Sequence, residues 1–211
     1  MNTQAANPFL DIVQARRSAM NFVEGIAIPQ QELEEIFSLT RLAPSAYNLQ
    51  HARYVVVSDP AAKERVRDNA YGQYKIHTAS AVIAVIGDMH AYKQAPEIYD
   101  GLKLLGAMSP EEYDGTMKAI NDAYEGNEAF QRDEAIRNAS LSAMQFMLIA
   151  KAKGWDTCPM IGFDPEALKE TLGLPDNQVP VMLITIGKDN QRKIRPRGYR
   201  KPVNEFVDFI G

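Results

Sequence analysis

Three separated stretches of the 211-residue chain carry side chains suited to gripping a phosphorylated, planar ligand. The first is Arg16-Arg17-Ser18. Two guanidinium groups beside a hydroxyl pair bidentately with phosphate and donate to a polyol, although the same trio also makes an ordinary solvated patch. The second is Ala43-Pro44-Ser45-Ala46-Tyr47-Asn48-Leu49-Gln50. Its small residues expose backbone N–H groups, and Asn48 and Gln50 offer donors and acceptors to the edge of a heterocycle; a plain turn has the same composition. The third is a basic tail containing Arg195, Arg197 and Arg200, which reads equally as solvated charge.

Other chemistries lack their residues. No P-loop is present, and no Gly-x-Gly-x-x-Gly follows a strand-like run. His51, His77 and His90 are scattered away from one another and from the single cysteine, Cys158. Asp88-Met89-His90 offers two metal ligands, an arrangement more common in a solvated loop. Cys158 lies beside Pro159 in an apolar stretch, where a thiol is more often packed than reactive. Gly-x-Ser-x-Gly is absent, which removes the hydrolase elbow. A chain this poor in nucleophiles and bases points to chemistry carried by a cofactor that the protein binds and tunes.

The elements that must position these residues follow from periodicity and caps. Apolar spacing predicts a helix over 8–16, with Phe9, Ile12 and Val13 on one face. A second helix runs over 29–42, with Pro29 at its first position and Leu33, Ile36, Phe37 and Thr40 as the inward stripe. A strand over 53–57 follows the small-residue loop, and Asp59-Pro60 starts a helix of about ten residues. The β-branched run 80–87 reads as a strand buried on both faces. Ser109-Pro110-Glu111-Glu112 is a capped helix start. Residues 127–153 form one long helix closed by Gly154, and its apolar positions Ala139, Ala143, Met144, Met147 and Leu148 predict a deeply buried second half. Asp164-Pro165-Glu166 caps a helix ending at Gly173, and 179–187 is the last strand. The mixture indicates α/β or α+β without fixing the sheet.

Composition agrees with one ordinary globular domain over 1–211: 45% hydrophobic, 24% charged, and no repeat or linker. The net charge of −4 argues against nucleic acid as a partner. One cysteine and a polar start without a signal-like core point to a reducing, cytoplasmic setting. The longest apolar stretches are too short to span a bilayer, so no membrane partner is expected.

Taken in order, several of these segments resemble the FMN-dependent nitroreductases. They are Arg16-Arg17-Ser18 with Phe22 behind it, Ala-Pro-Ser-x-x-Asn-x-Gln over 43–50, the run 80–88, the stretch Asp156-Thr157-Cys158-Pro159-Met160-Ile161-Gly162, and 179–187 followed by Arg200-Lys201-Pro202. The resemblance spans about Phe9 to Ile210. It implies an α+β sandwich, a central mixed β-sheet flanked by helices, in an intertwined homodimer with each FMN in the interface. Arg16, Arg17 and Ser18 would hold the phosphate and ribityl from one subunit, with Arg200 closing on the phosphate. Pro44, Ser45 and Asn48 would reach the flavin from the other subunit, with Gln50 and Met20 also at the cofactor. Gln73 takes the place of an amide near the pyrimidine or ribityl. Pro159, Met160, Ile161 and Gly162 would run along the dimethylbenzene and N5 side. The second half of the long helix, about 140–150, would lie along the dimer interface.

The implied activity is that of an FMN-dependent NAD(P)H oxidoreductase working by ping-pong hydride transfer through flavin N5. NADH or NADPH is the donor and a nitroaromatic or quinone the acceptor. It needs no catalytic side chain and no metal. Alternatives are reductive dehalogenation or flavin breakdown on the same fold, or a non-catalytic flavin sensor or carrier. The segment 89–124 would cover the pocket, its Tyr92, Tyr99, Tyr113 and Tyr124 either stacking on acceptor rings or packing helices. Two positions depart from the family's common pattern. Met20 stands where it has a cation, which leaves Arg53 and Arg197 as candidates to balance flavin charge. Gln50-His51-Ala52 stands where it has Gln-Pro-Trp.

Overall fold

The computed structural model describes residues 7–190 and 196–211, so Arg192, Lys193 and Arg195 of the basic tail lie outside the described residues. Within these, the chain runs α1 (Pro8–Ala15), α2 (Gln30–Thr40), β1 (Ala52–Val57), α3 (Pro60–Asn69), α4 (Tyr74–Thr78), β2 (Ala81–Asp88), α5 (Ala95–Leu104), α6 (Pro110–Tyr124), α7 (Glu128–Ala152), β3 (Asp156–Met160), α8 (Pro165–Leu172) and β4 (Gln178–Gly187). The helix starts are set locally. Asp59 accepts from Ala62 N, Asp164 accepts from Glu166 N and Ala167 N, and Ser109 with Glu112 closes a reciprocal capping box. Pro29 departs from expectation: it is the extended cap residue before α2 rather than its first helical residue.

The strands form one sheet in the order β1-β2-β4-β3, and neighbouring strands pair antiparallel throughout. The mixed character expected of the sheet is confined to a parallel bridge between Ser18 and Thr157 of β3. All eight residues of β2 are buried, because helices cover both faces. Alternation along the strand sorts them: Ala81, Ile83 and Val85 join the core under α2 and α7, while Val82, Ala84 and Ile86 join that under α3, α4 and α8. Each buried Val or Ile contributes about 1.5–3 kcal/mol of transfer free energy. A smaller third core gathers under α5 and α6, around Leu49, Tyr92, Ile120 and Tyr124.

Helix α7 is the central support. It passes so close to β2 that a Cβ on Gly87 would sit 2.8 Å from the Ala135 backbone. Its burial follows one stripe from Gln131 to Ala150 rather than gathering in the second half. Met144 is exposed and Leu148 half-buried, because the stripe recurs at helical spacing and leaves both off it. Strand β3 is absent from the sequence reading, since Pro159 interrupts a short run. It is tolerated because β3 is an edge strand, where a missing N–H leaves no neighbour unpaired.

Candidate functional site

The segment after α1 is strapped to the sheet edge. Ala19 N donates to Thr157 O at 3.0 Å, Val23 N to Lys188 O at 2.8 Å, and Phe22 N to Thr78 Oγ1 at 3.2 Å. The buried Phe22 ring lies where a Cβ on Gly187 would fall, 2.7 Å from its Cδ1. This strap presents Arg16, Arg17, Ser18 and Met20 to a cavity of about 270 Å³, whose other walls include Asp189, Arg197 and Arg200. Arg197 donates to the carbonyls of Gln14 and Arg16, and Arg200 Nη1 to Tyr199 O at 2.8 Å. Burial, and then the nearby charges of Arg197 and Arg200, hold the Arg16 guanidinium below its ordinary value. Like charges forced together in this way are eased by an anion. The Asp189 carboxyl is pushed up, first by its own burial and then by Asp156.

The small-residue loop builds a second cavity, of about 230 Å³, between α2, β1 and α7. Pro44, Ser45, Gln50 and His51 line it, with Asn138 and Ser142 from α7. The loop backbone is strained: Tyr47, Asn48 and Gln50 have φ of 50°, 53° and 54°, in the left-handed region that side chains usually avoid. It is held from several sides. Ala46 N donates to Asn138 Oδ1 at 2.8 Å, Gln50 N to Ser45 Oγ at 3.0 Å, and the Tyr99 hydroxyl to Tyr47 O at 2.9 Å. Leu49 anchors it by complete burial.

A third group lies along β3 and beyond it. Pro159 and Met160 are in the strand, Ile161 is 83% exposed, and Gln73 Nε2 donates to Gly162 O at 2.8 Å. The Ser18–Thr157 bridge puts the arginine cavity and this stretch on the same sheet edge. Within one chain the sequence-predicted residues therefore fall into separate groups. Arg16, Arg17, Ser18, Met20 and Arg200 meet in one cavity, and Pro44, Ser45 and Gln50 in another. Asn48 sits in the loop without lining that second cavity, and Gln73 with Pro159, Met160, Ile161 and Gly162 lines neither.

Several of the side chains singled out in the sequence are engaged within the fold. Tyr92 and Tyr124 are buried and stacked on each other, with centroids 5.4 Å apart. Tyr113 donates to Asp100 at 2.7 Å, Tyr99 holds the loop, and none of the four tyrosines lines either cavity. Arg53 Nε lies 3.2 Å from Asp88, whose carboxylate also accepts from His90 N and Asn177 Nδ2. Asp88 is thus a buried staple, and of the two candidate cations only Arg197 shares a cavity with Met20. Cys158 is packed in the core under α3 and α8, with Lys75 Nζ 3.4 Å from Sγ. Sequence reasoning missed Asn138 and Asp189, whose positions depend on contacts across 92 residues for Asn138 and 33 for Asp189.

The family model described as Nitroreductase matches residues 13–188. MhqN of Bacillus subtilis, by name a candidate NAD(P)H nitroreductase, is 56% identical over 203 residues, covering 96% of this chain and 98% of its own length. A Bacillus subtilis crystal structure of a candidate nitroreductase, ydfN, aligns with a TM-score of 0.92 at 55% identity, covering 96% of this chain and 98% of that one. The crystal structure of a candidate nitroreductase from Exiguobacterium sibiricum in complex with FMN aligns with a TM-score of 0.86 at 34% identity, covering 99% and 100%.

Proposed function

The chain belongs to the nitroreductase family, and from that footing we propose that it is a single-domain, cytoplasmic, FMN-dependent NAD(P)H oxidoreductase that reduces nitroaromatic or quinone acceptors. The observation that carries this reading is the convergence of Arg16, Arg197 and Arg200 with Ser18 on one cavity at the edge of β3. That donor set fits a phosphate with a hydroxylated chain attached, because guanidinium groups form short, charge-assisted bonds to phosphate oxygens and a serine hydroxyl both donates and accepts.

When bound, FMN supplies a two-electron carrier between NAD(P)H and the acceptor, which would use the same place in turn. The chain's own residues bind and orient. Arg16, Arg17, Ser18 and Arg200 take the phosphate and ribityl end; Pro159 to Gly162, with Gln73, take the ring end. Pro44, Ser45, Asn48 and Gln50 belong to the same site but lie apart from the arginines within one chain, which supports a shared site in a homodimer. The apolar surface supports the dimer too. Helix α1 buries none of its residues and exposes Phe9, Leu10 and Val13, and the tail exposes Phe206, Phe209 and Ile210. No side chain is assigned as acid or base, since solvent can protonate the products.

Denaturing the purified protein should release about one FMN per chain, identified by chromatography. Release of FAD, or of no flavin, would sink the proposal.

A further inference from the structure

The polar groups around the loop cavity between α2, β1 and α7 are engaged, sealed or open. Thr40 donates to Ile36 O, the Tyr54 and Ser142 hydroxyls pair at 2.6 Å, and Asn138 accepts from Ala46 N while donating to Glu134. His51 is fully buried, its ring Nδ1 included, so a ligand in the cavity does not reach it. Burial also keeps that ring uncharged, with its pKa lowered to about 4.

Three side chains of the wall stay open. Arg41 is exposed, and its guanidinium has no hydrogen-bond or ion-pair partner among the described residues. Gln50 is exposed too, with its carboxamide free in the same way. Ser45 Oγ accepts from Gln50 N at 3.0 Å, which leaves its O–H to donate. Each open group can donate, one carries a full positive charge, and no carboxylate among the described residues lines the cavity. Glu134, the acid behind Asn138, is paired with Arg137. The remaining wall is apolar, from Phe37, Ala43, Pro44, Ala52 and the Tyr54 ring. Its volume of about 230 Å³ falls below the range of about 300–1,000 Å³ usual for drug-sized ligands, and suits a single ring. A guanidinium beside such a wall matches a planar carboxylate fork to fork. We propose that Arg41 is a specificity-determining residue, which takes the carboxylate of a single-ring aromatic acid whose apolar body fills the loop cavity beside Ser45 and Gln50. This rests on the oxidoreductase reading and narrows its acceptor to one that carries a negative charge.

The test compares benzoate with benzamide, alike in shape and different in charge. Both are titrated calorimetrically into the oxidised holoprotein at neutral pH and low salt, so that no turnover is needed. Benzoate should bind about tenfold more tightly, the effect of one charge-assisted hydrogen bond. Arg41→Gln should bring the two affinities together by weakening benzoate alone. Arg41→Lys, which keeps the charge without the fork, should keep a preference of about threefold. Equal affinities in wild type, or a preference that survives Arg41→Gln, overturns the proposal. The 2′-phosphate of NADPH is the other anion that such a cation could read. If Arg41→Gln removes a preference for NADPH over NADH in flavin bleaching and leaves the benzoate preference intact, the proposal falls in favour of the donor's phosphate. A protein purified without flavin would end the oxidoreductase reading, while the benzoate and benzamide titrations would still read out on the same sample.

Discussion

Arg200 is the residue on which the cofactor reading leans from farthest along the chain. It lies 182 residues after Ser18 and lines the same cavity, its guanidinium donating to the nearby carbonyls of Gly198 and Tyr199. Arg200→Ala should weaken FMN binding by roughly 1.5–3 kcal/mol, about tenfold or more in Kd, in a titration of the flavin-stripped protein. An unchanged Kd would make it a solvated tail charge. His51 carries a pH signature of its own. Burial lowers its pKa from 6.5 to about 4, against an opposing pull from Asp88, so between these values the unfolded chain binds the extra proton. Stability is therefore intact above about pH 6.5 and falls as pH drops towards 4. Wild type should lose about 2 kcal/mol more than His51→Phe across that window in denaturant titrations. Parallel curves for the two proteins would show that the ring is solvated.

At the scale of elements, α7 packs tightly against β2, backbone to backbone. Gly87→Ala would drive a methyl into the Ala135 backbone, which cannot swing aside as a flexible side chain does. The expected loss is about 1–3 kcal/mol by chemical denaturation; a variant as stable as wild type would mean that α7 shifts freely over the sheet. Elements whose signals are local were legible in the sequence. The caps at Asp59, Ser109 and Asp164, and the β-branched run of β2, place their helices and strand within a residue or two. Strand β3 was not, because Pro159 speaks against a strand unless one knows that it is at an edge. The site was legible in part for the same reason. Residue types at 16–18 and 43–50 declare their chemistry, but that Arg197 joins Arg16, or that Asn138 holds Ala46, is decided by packing between distant segments. The four tyrosines of 89–124 stayed open between stacking on a ligand and packing helices, because an aromatic at helical spacing looks alike whether it faces a ligand or another helix.

For the molecule as a whole, the proposed dimer has a direct consequence. Light scattering should give twice the chain mass, and replacing exposed apolar residues of α1 with charge, as in Val13→Asp, should lower both dimer content and bound flavin together. A monomer that keeps full flavin occupancy would rule out the shared site. One further consequence comes from the strap between Ser18 and Val23. An edge strand with open N–H and C=O groups is a template for pairing with other molecules, and β3 is such an edge. The strap occupies part of it through the Ala19–Thr157 hydrogen bond and continues onto the end of β4 at Lys188. The residues that present the arginines thus also guard the sheet against aggregation. Changes that loosen the strap should show as lost solubility.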